Sequence, residues 1–212
     1  MEFFVGLTSL ASKCTLFRTR GIRYFLTLFA ALAAQAVAPA LHAQESVVQL
    51  DAAHTQIEFT LGDILHTVHG TFQLKSGTIR FDPSTAKASG SIVVDATSGE
   101  SGNSGRDRKM HREILESSNF PEIDFTPNQV KGTLATKGPS QVEVSGQFRL
   151  HGQDHDITVP MEIRRDGQQF QVAARIIVPY VQWGLKNPST LILRVSDKVT
   201  IDIHATAFLQ TR

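Results

Sequence analysis

Between Gln141 and Arg164 the chain reads QVEVSGQFRLHGQDHDITVPMEIR, and apolar and polar residues alternate through most of it. Val142, Val144, Gly146, Phe148 and Leu150 share one phase, and Ile157, Val159, Met161 and Ile163 share another. Side chains of a strand point to opposite faces in turn, so each arm has one oily and one wet side. His151-Gly152-Gln153-Asp154 between the arms is rich in turn formers. The stretch predicts a β-hairpin that must lay one face on something apolar. What covers that face, other side chains or a ligand, is the functional question.

The rest of the chain repeats the theme. Val47 to Asp51 and Thr55 to Leu61 read as strands around a bend at Asp51-Ala52-Ala53-His54. Val68 to Leu74 follows, and Ser76-Gly77 reads as a turn into Thr78 to Phe81. Asp82-Pro83-Ser84-Thr85 is a further turn before Gly90 to Asp95. Later come Ile123 to Phe125, Gln129 to Ala135, Phe170 to Val178 and Lys198 to Phe208. Short strands at regular spacing with turn signals between them predict an all-β barrel or sandwich. One stretch breaks the rhythm. After the loop Gly99 to Gly105, Ser104 to Glu116 carries Met110 and Ile114 at helical spacing and predicts one short helix, stopped by Phe120-Pro121.

Residues 1–43 belong to a different class. Lys13, Arg18, Arg20 and Arg23 lead into the apolar run Tyr24 to Ala34, and small residues lead to Leu41-His42-Ala43. A basic start, a short oily core and an Ala before the cut predict a secretory signal peptide, with cleavage after Ala43 or Ala40. The expected mature domain is Gln44 to Arg212, periplasmic or secreted and without an integral membrane span. Removing the leader's four basic residues and Glu2 from the 21 Lys and Arg and 20 Asp and Glu leaves 17 against 19. Nothing in that balance offers an electrostatic track for nucleic acid. Cys14, the only cysteine, lies in the leader, so the exported domain must hold together by packing.

Catalytic motifs are absent or weak. There is no G-x-S-x-G elbow, no dinucleotide or phosphate-binding glycine loop, and no Cys ligand for a metal. His66 and His69 are three apart and His151 and His155 four apart, but at strand ends or turns such spacing fixes no common side. No cofactor, catalytic centre or metal site is expected. The large apolar groups Phe59, Phe72, Phe81, Phe125, Phe148, Met161, Phe170 and Trp183 remain. A barrel of about eight strands can be filled by side chains or hold one small ligand. Gly70, Gly146, Ala174, Ala205 and Ala207 on the same phase either leave a channel or make room for large residues opposite. The pattern admits both.

Taken in order, Asp51-x-x-His54-Thr55-x-Ile57-x-Phe59, Gly70-x-Phe72, Gly77-x-Ile79-x-Phe81-Asp82, Arg106-Asp107, Ser118-x-Phe120-Pro121-x-Ile123-x-Phe125, Gly146-x-Phe148-x-Leu150-His151-Gly152 and Asp197-x-Val199-x-Ile201 resemble the YceI family of exported lipid-binding proteins. The resemblance runs from about Val47 to about Phe208. Thr55 stands where the family often has Ser, and Val181-Gln182-Trp183-Gly184-Leu185 replaces a common Asp-Tyr-Gly-Ile after the tyrosine. The resemblance implies an extended antiparallel lipocalin-like barrel around a long apolar pocket. It also implies polyisoprenoid, isoprenoid-quinone or fatty-acid-type ligands, no known catalytic centre, and compatibility with homodimers. Within that frame Phe72, Phe81, Phe125, Phe148, Met161, Phe170 and Trp183 are the candidate tail-binding residues, and Arg106 and His111 the head-group candidates. A hydrolase or isomerase acting on such lipids, or a histidine-based metal-stress module, are the alternatives.

Overall fold

The computed structural model describes residues 46–62, 67–135, 138–190 and 194–210. The expected leader and His66 lie outside them. Among the described residues eight strands occur: β1 (Ser46–Gly62), β2 (Thr67–Asp82), β3 (Lys87–Glu100), β4 (Glu122–Gly132), β5 (Pro139–Leu150), β6 (Gln153–Asp166), β7 (Gln169–Val178) and β8 (Val199–Gln210). Each pairs antiparallel with the next, and β8 pairs back onto β1, which closes an all-β barrel. Closure removes the exposed edges that an open sheet would carry. A short helix, α1 (Ser104–Lys109), continues into a wider π-type turn over Met110–Ile114.

The β5–β6 hairpin is unbroken from Pro139 opposite Arg164 to Leu150 opposite Gln153. Its turn is tighter than the sequence suggests. His151 and Gly152 alone make it, with φ of 52° and 74°. Two successive positive φ values are those of a type I′ turn, whose twist matches that of the strands it joins. The expected inner phase is correct: Val142, Val144 and Val159 are buried with Phe125 in one core cluster.

Two other expected turns are irregularities inside long strands. Ser76-Gly77 does not reverse the chain; β2 runs through it with a shift in its register against β3. The bend at Asp51–His54 is likewise a bulge, where β1 carries extra residues between its pairings of Leu50 with Ala207 and Thr55 with Ala205. Its polar groups satisfy one another. The Asp51 carboxylate accepts from Ala53 N at 2.9 Å and lies 2.8 Å from His54 Nδ1, while Thr55 Oγ1 donates to Asp51 O at 2.7 Å. Asp51, His54 and Thr55 therefore hold a bulge together. Such bulges bend and twist a strand, as curving a sheet into a barrel requires.

The β6–β7 ladder is short. β6 and β7 pair only from Met161 with Ala174 to Asp166 with Gln169, and Pro160 stands where the pairing stops. Proline has no N–H to give to a ladder, which suits the end of one. Beyond that point the turn-rich segment after β7 lies against β6: the Trp183 ring stacks on that of His155 at 4.0 Å.

Candidate functional site

The barrel is hollow. Two cavities lie inside it, of about 500 and 560 Å³. Phe72, Ile123, Phe148 and Ile201 border both, so the two meet at an aromatic and aliphatic waist. The larger is lined by inward side chains of the hairpin and its neighbours, among them Phe81, Phe125, Met161 and Phe170. The other reaches the helix, with Arg106, Lys109 and Met110 on one bank and Tyr180, Leu185 and Pro188 on the other. Volumes of this order, with mostly apolar walls and a few polar groups, are those of small-molecule sites.

The small residues divide between the two roles left open by the sequence. A Cβ at Gly70 would lie 2.3 Å from the Phe59 ring and 2.3 Å from the Glu100 carbonyl oxygen. A Cβ at Gly146 would lie 2.3 Å from Thr126 O. These two glycines make room for what packs on them. Ala174, Ala205 and Ala207 instead border the larger cavity and leave it open.

Six of the seven candidate tail residues border the hollow: Phe72, Phe81, Phe125, Phe148, Met161 and Phe170. Trp183 borders neither cavity. Its ring is taken up by His155 and lies 5.7 Å from Phe148, so it backs the lining from behind. Alternation cannot locate such a residue, because Trp183 lies in a turn and not in a strand.

The two head-group candidates part in the same way. His111 Nε2 lies 2.8 Å from Gly99 O and Nδ1 3.0 Å from Ser117 Oγ. Both ring nitrogens thus tie the helical segment to β3 and to the chain after it. His111 is a clasp and does not border either cavity. Arg106 does border one. Asn103 caps α1, its Oδ1 accepting from Gly105 N and Arg106 N. Asp107 accepts from Ser101 N at 2.9 Å and from Ser101 Oγ. Ser101 in turn takes Arg106: Nε donates to Ser101 Oγ at 2.7 Å and an Nη to Ser101 O at 2.8 Å. The adjacent Arg106-Asp107 thus close on one serine, which fixes the guanidinium at the cavity edge.

Lys109, Tyr180 and Leu185 were missed by sequence reasoning. The Lys109 signal was available, since residues three apart on a helix share a face and Arg106 was already a candidate. Tyr180 turns its ring to the cavity and donates its hydroxyl to Ser196 O at 2.6 Å. Burial, with a smaller effect from Asp197, pushes its phenol up to about 12. The folded state therefore holds this proton where an unfolded tyrosine, at about 10, releases it, and stability is lost as pH rises from about 10 to about 12. In a Gln44–Arg212 protein Tyr180 is the only tyrosine. Its phenolate absorbance should appear with a midpoint near 12, and a midpoint near that of free tyrosine would show the ring exposed.

Histidines elsewhere have other company. The His151 ring lies against Phe120 with centroids 4.2 Å apart, and His69 Nδ1 is 3.1 Å from Thr60 Oγ1. Among the described residues no group of three or more His, Cys, Asp or Glu converges as metal ligands would. No helix among them is long and apolar enough to cross a membrane.

A closed antiparallel barrel with an apolar hollow and a polar edge belongs to the lipocalin-like class, barrels built around a small hydrophobic guest. The YceI-like domain model matches residues 48–207. The chain belongs to the YceI-like family. A UPF0312 protein of Vibrio cholerae is 31% identical over 132 residues, which cover 61% of this chain and 68% of that protein. One from Vibrio parahaemolyticus is 30% identical over 141 residues, 64% of this chain and 72% of its own length. Among solved structures, Burkholderia cenocepacia BcnA superposes with a TM-score of 0.59 at 17% identity, covering 74% of this chain and 98% of BcnA. A polyisoprenoid binding domain from Saccharophagus degradans gives 0.58 at 17% identity, covering 77% and 98%. At such identities the two structures establish a shared fold.

Proposed function

We propose that this protein is an exported carrier of one long-chain isoprenoid lipid or related amphiphile, of polyprenyl, isoprenoid-quinone or fatty-acid type. The observation that carries this is the hollow itself: the Phe-lined inner face of the barrel does not fill its own interior. Each methylene moved from water into such a space contributes about 0.8 kcal/mol, so a tail binds by length without needing many polar contacts. Phe72, Phe81, Phe125, Phe148, Met161 and Phe170 hold the tail, Trp183 supports Phe148 from outside, and Arg106 orients the head group. The polyisoprenoid-binding character of the Saccharophagus degradans domain supports the ligand class. Export, and with it carriage in the periplasm or outside the cell, is supported by the leader-like pattern of residues 1–43.

Binding is preferred over catalysis because the groups around the hollow are mostly aliphatic and aromatic, with Arg106 tied to Ser101 and the Tyr180 hydroxyl to a backbone carbonyl. Organic extraction of the protein purified from cells that export it should release a long-chain amphiphile, identified by mass spectrometry. Protein that yields none, and takes up no added prenyl lipid, would refute carriage. Turnover of an added prenyl ester would favour the hydrolase alternative.

A further inference from the structure

We infer that the lipid carried here has an anionic head, a phosphate or carboxylate, held by Arg106 and Lys109 at the helix-side mouth; this rests on the carrier function proposed above. Among the described residues, two basic side chains border the helix-side cavity and no Asp or Glu does. The other cavity is bordered by one charge of each sign, Asp124 and Arg165. Arg106 and Lys109 stand three apart on α1, hence on one face. Among the described residues, no ion pair joins either of them to a carboxylate.

Their surroundings hold them ready for an anion. Two of the Arg106 nitrogens donate to Ser101, which fixes the plane of the guanidinium and leaves further N–H groups for a ligand. The neighbouring Asp107 carboxylate is occupied by Ser101 N and Oγ. It acts on Arg106 through that serine, as a positioning residue. Lys109 Nζ reaches across the mouth to the Pro188 carbonyl at 3.4 Å, a long bond that an anion would readily replace. Arg106 is exposed and Lys109 half-buried, so the pair spans the step from water to the hollow. A neutral alcohol or quinone would use little of this arrangement. A phosphate or carboxylate accepts charge-assisted hydrogen bonds from both side chains while its tail passes Met110 and Phe72 toward the waist.

The test is calorimetric binding to the delipidated protein of four probes: farnesol, farnesyl phosphate, palmityl alcohol and palmitate. Farnesyl phosphate should bind at least about tenfold more tightly than farnesol, the gain expected of a charged hydrogen bond. That ratio should shrink as salt is raised and fall to about one in an Arg106→Gln, Lys109→Gln protein. A matching preference for palmitate over palmityl alcohol assigns the site to anionic heads in general, and its absence to phosphate. Equal binding of farnesol and its phosphate, or a ratio that survives both salt and the double substitution, would overturn the inference while leaving carriage intact. Failure of all four probes to bind would instead remove carriage itself. Should the double variant not fold, the salt series on the unaltered protein decides the matter alone.

Discussion

An Ala174→Trp protein should fold and lose lipid affinity by at least about 100-fold. Ala174 faces the larger cavity from β7, opposite Met161 on one side and Ile203 on the other. An indole there occupies space that a tail would use. Displacing about four methylenes removes about 3 kcal/mol of burial, which is about two decades in affinity. The hollow of about 560 Å³ can take the ring without forcing the strands apart. Ile177 provides the control: it is on the same strand but 62% exposed, so Ile177→Trp adds the same bulk outside the barrel and should leave binding within about twofold. Calorimetry with farnesol on both proteins checks this. If both variants bind like the parent, the tail does not lie in the hollow.

Gly70→Val should be the most destabilising single substitution in the β1–β2 ladder, by about 3 kcal/mol or more. Gly70 pairs with Phe59, and its Cβ would fall within 2.3 Å of both the Phe59 ring and the Glu100 carbonyl oxygen. The ring could turn away, but the carbonyl belongs to the β3 backbone. Making room would part β3 from β2 where Thr71 pairs with Glu100. For a domain of this size the melting temperature should fall by about 10 °C. Gly62→Ala, with nothing within 4 Å of its added carbon, should change it by no more than about 2 °C. Thermal unfolding followed by circular dichroism separates the two, and equal effects would contradict the close packing of β1 on β2.

The barrel was legible wherever one face of a strand is oily and the other wet. The alternation through Val142–Leu150 and Ile157–Ile163 separated an oily face from a wet one, and the burial of Val142, Val144 and Val159 turns the oily face inward. What stayed hidden is instructive. Ser76-Gly77 and Asp51–His54 have the composition of turns, yet both lie inside continuous strands. Small and self-bonding polar residues serve a bulge as well as a reversal, and only pairing partners distant in sequence distinguish the two. The opposite holds at Asp82-Pro83-Ser84-Thr85, where the Asp82 carboxylate accepts from Ser84 N and Oγ and from Thr85 Oγ1, and the chain does turn.

At the site, the aromatic lining followed from strand phase, whereas polar roles did not. His111 and Arg106 looked alike in sequence, two polar groups on one short helix. Their difference rests on Gly99, Ser101 and Ser117, contacts that no spacing rule announces. Trp183 was grouped with the lining for its size alone, although its turn sets it behind Phe148. Whether an eight-stranded barrel is filled or hollow was likewise beyond the pattern, since a glycine such as Gly70 and an alanine such as Ala174 look equally small in sequence.

The location of the tail is the claim on which carriage depends, and nuclear Overhauser contacts from a labelled prenol can locate it. The account predicts contacts from the prenyl methyl groups to the rings of Phe72, Phe125 and Phe148, the first and last of which border both cavities. Contacts confined to the exposed apolar side chains Ile177 and Phe208 on the outer wall, with the inner rings silent, would contradict it.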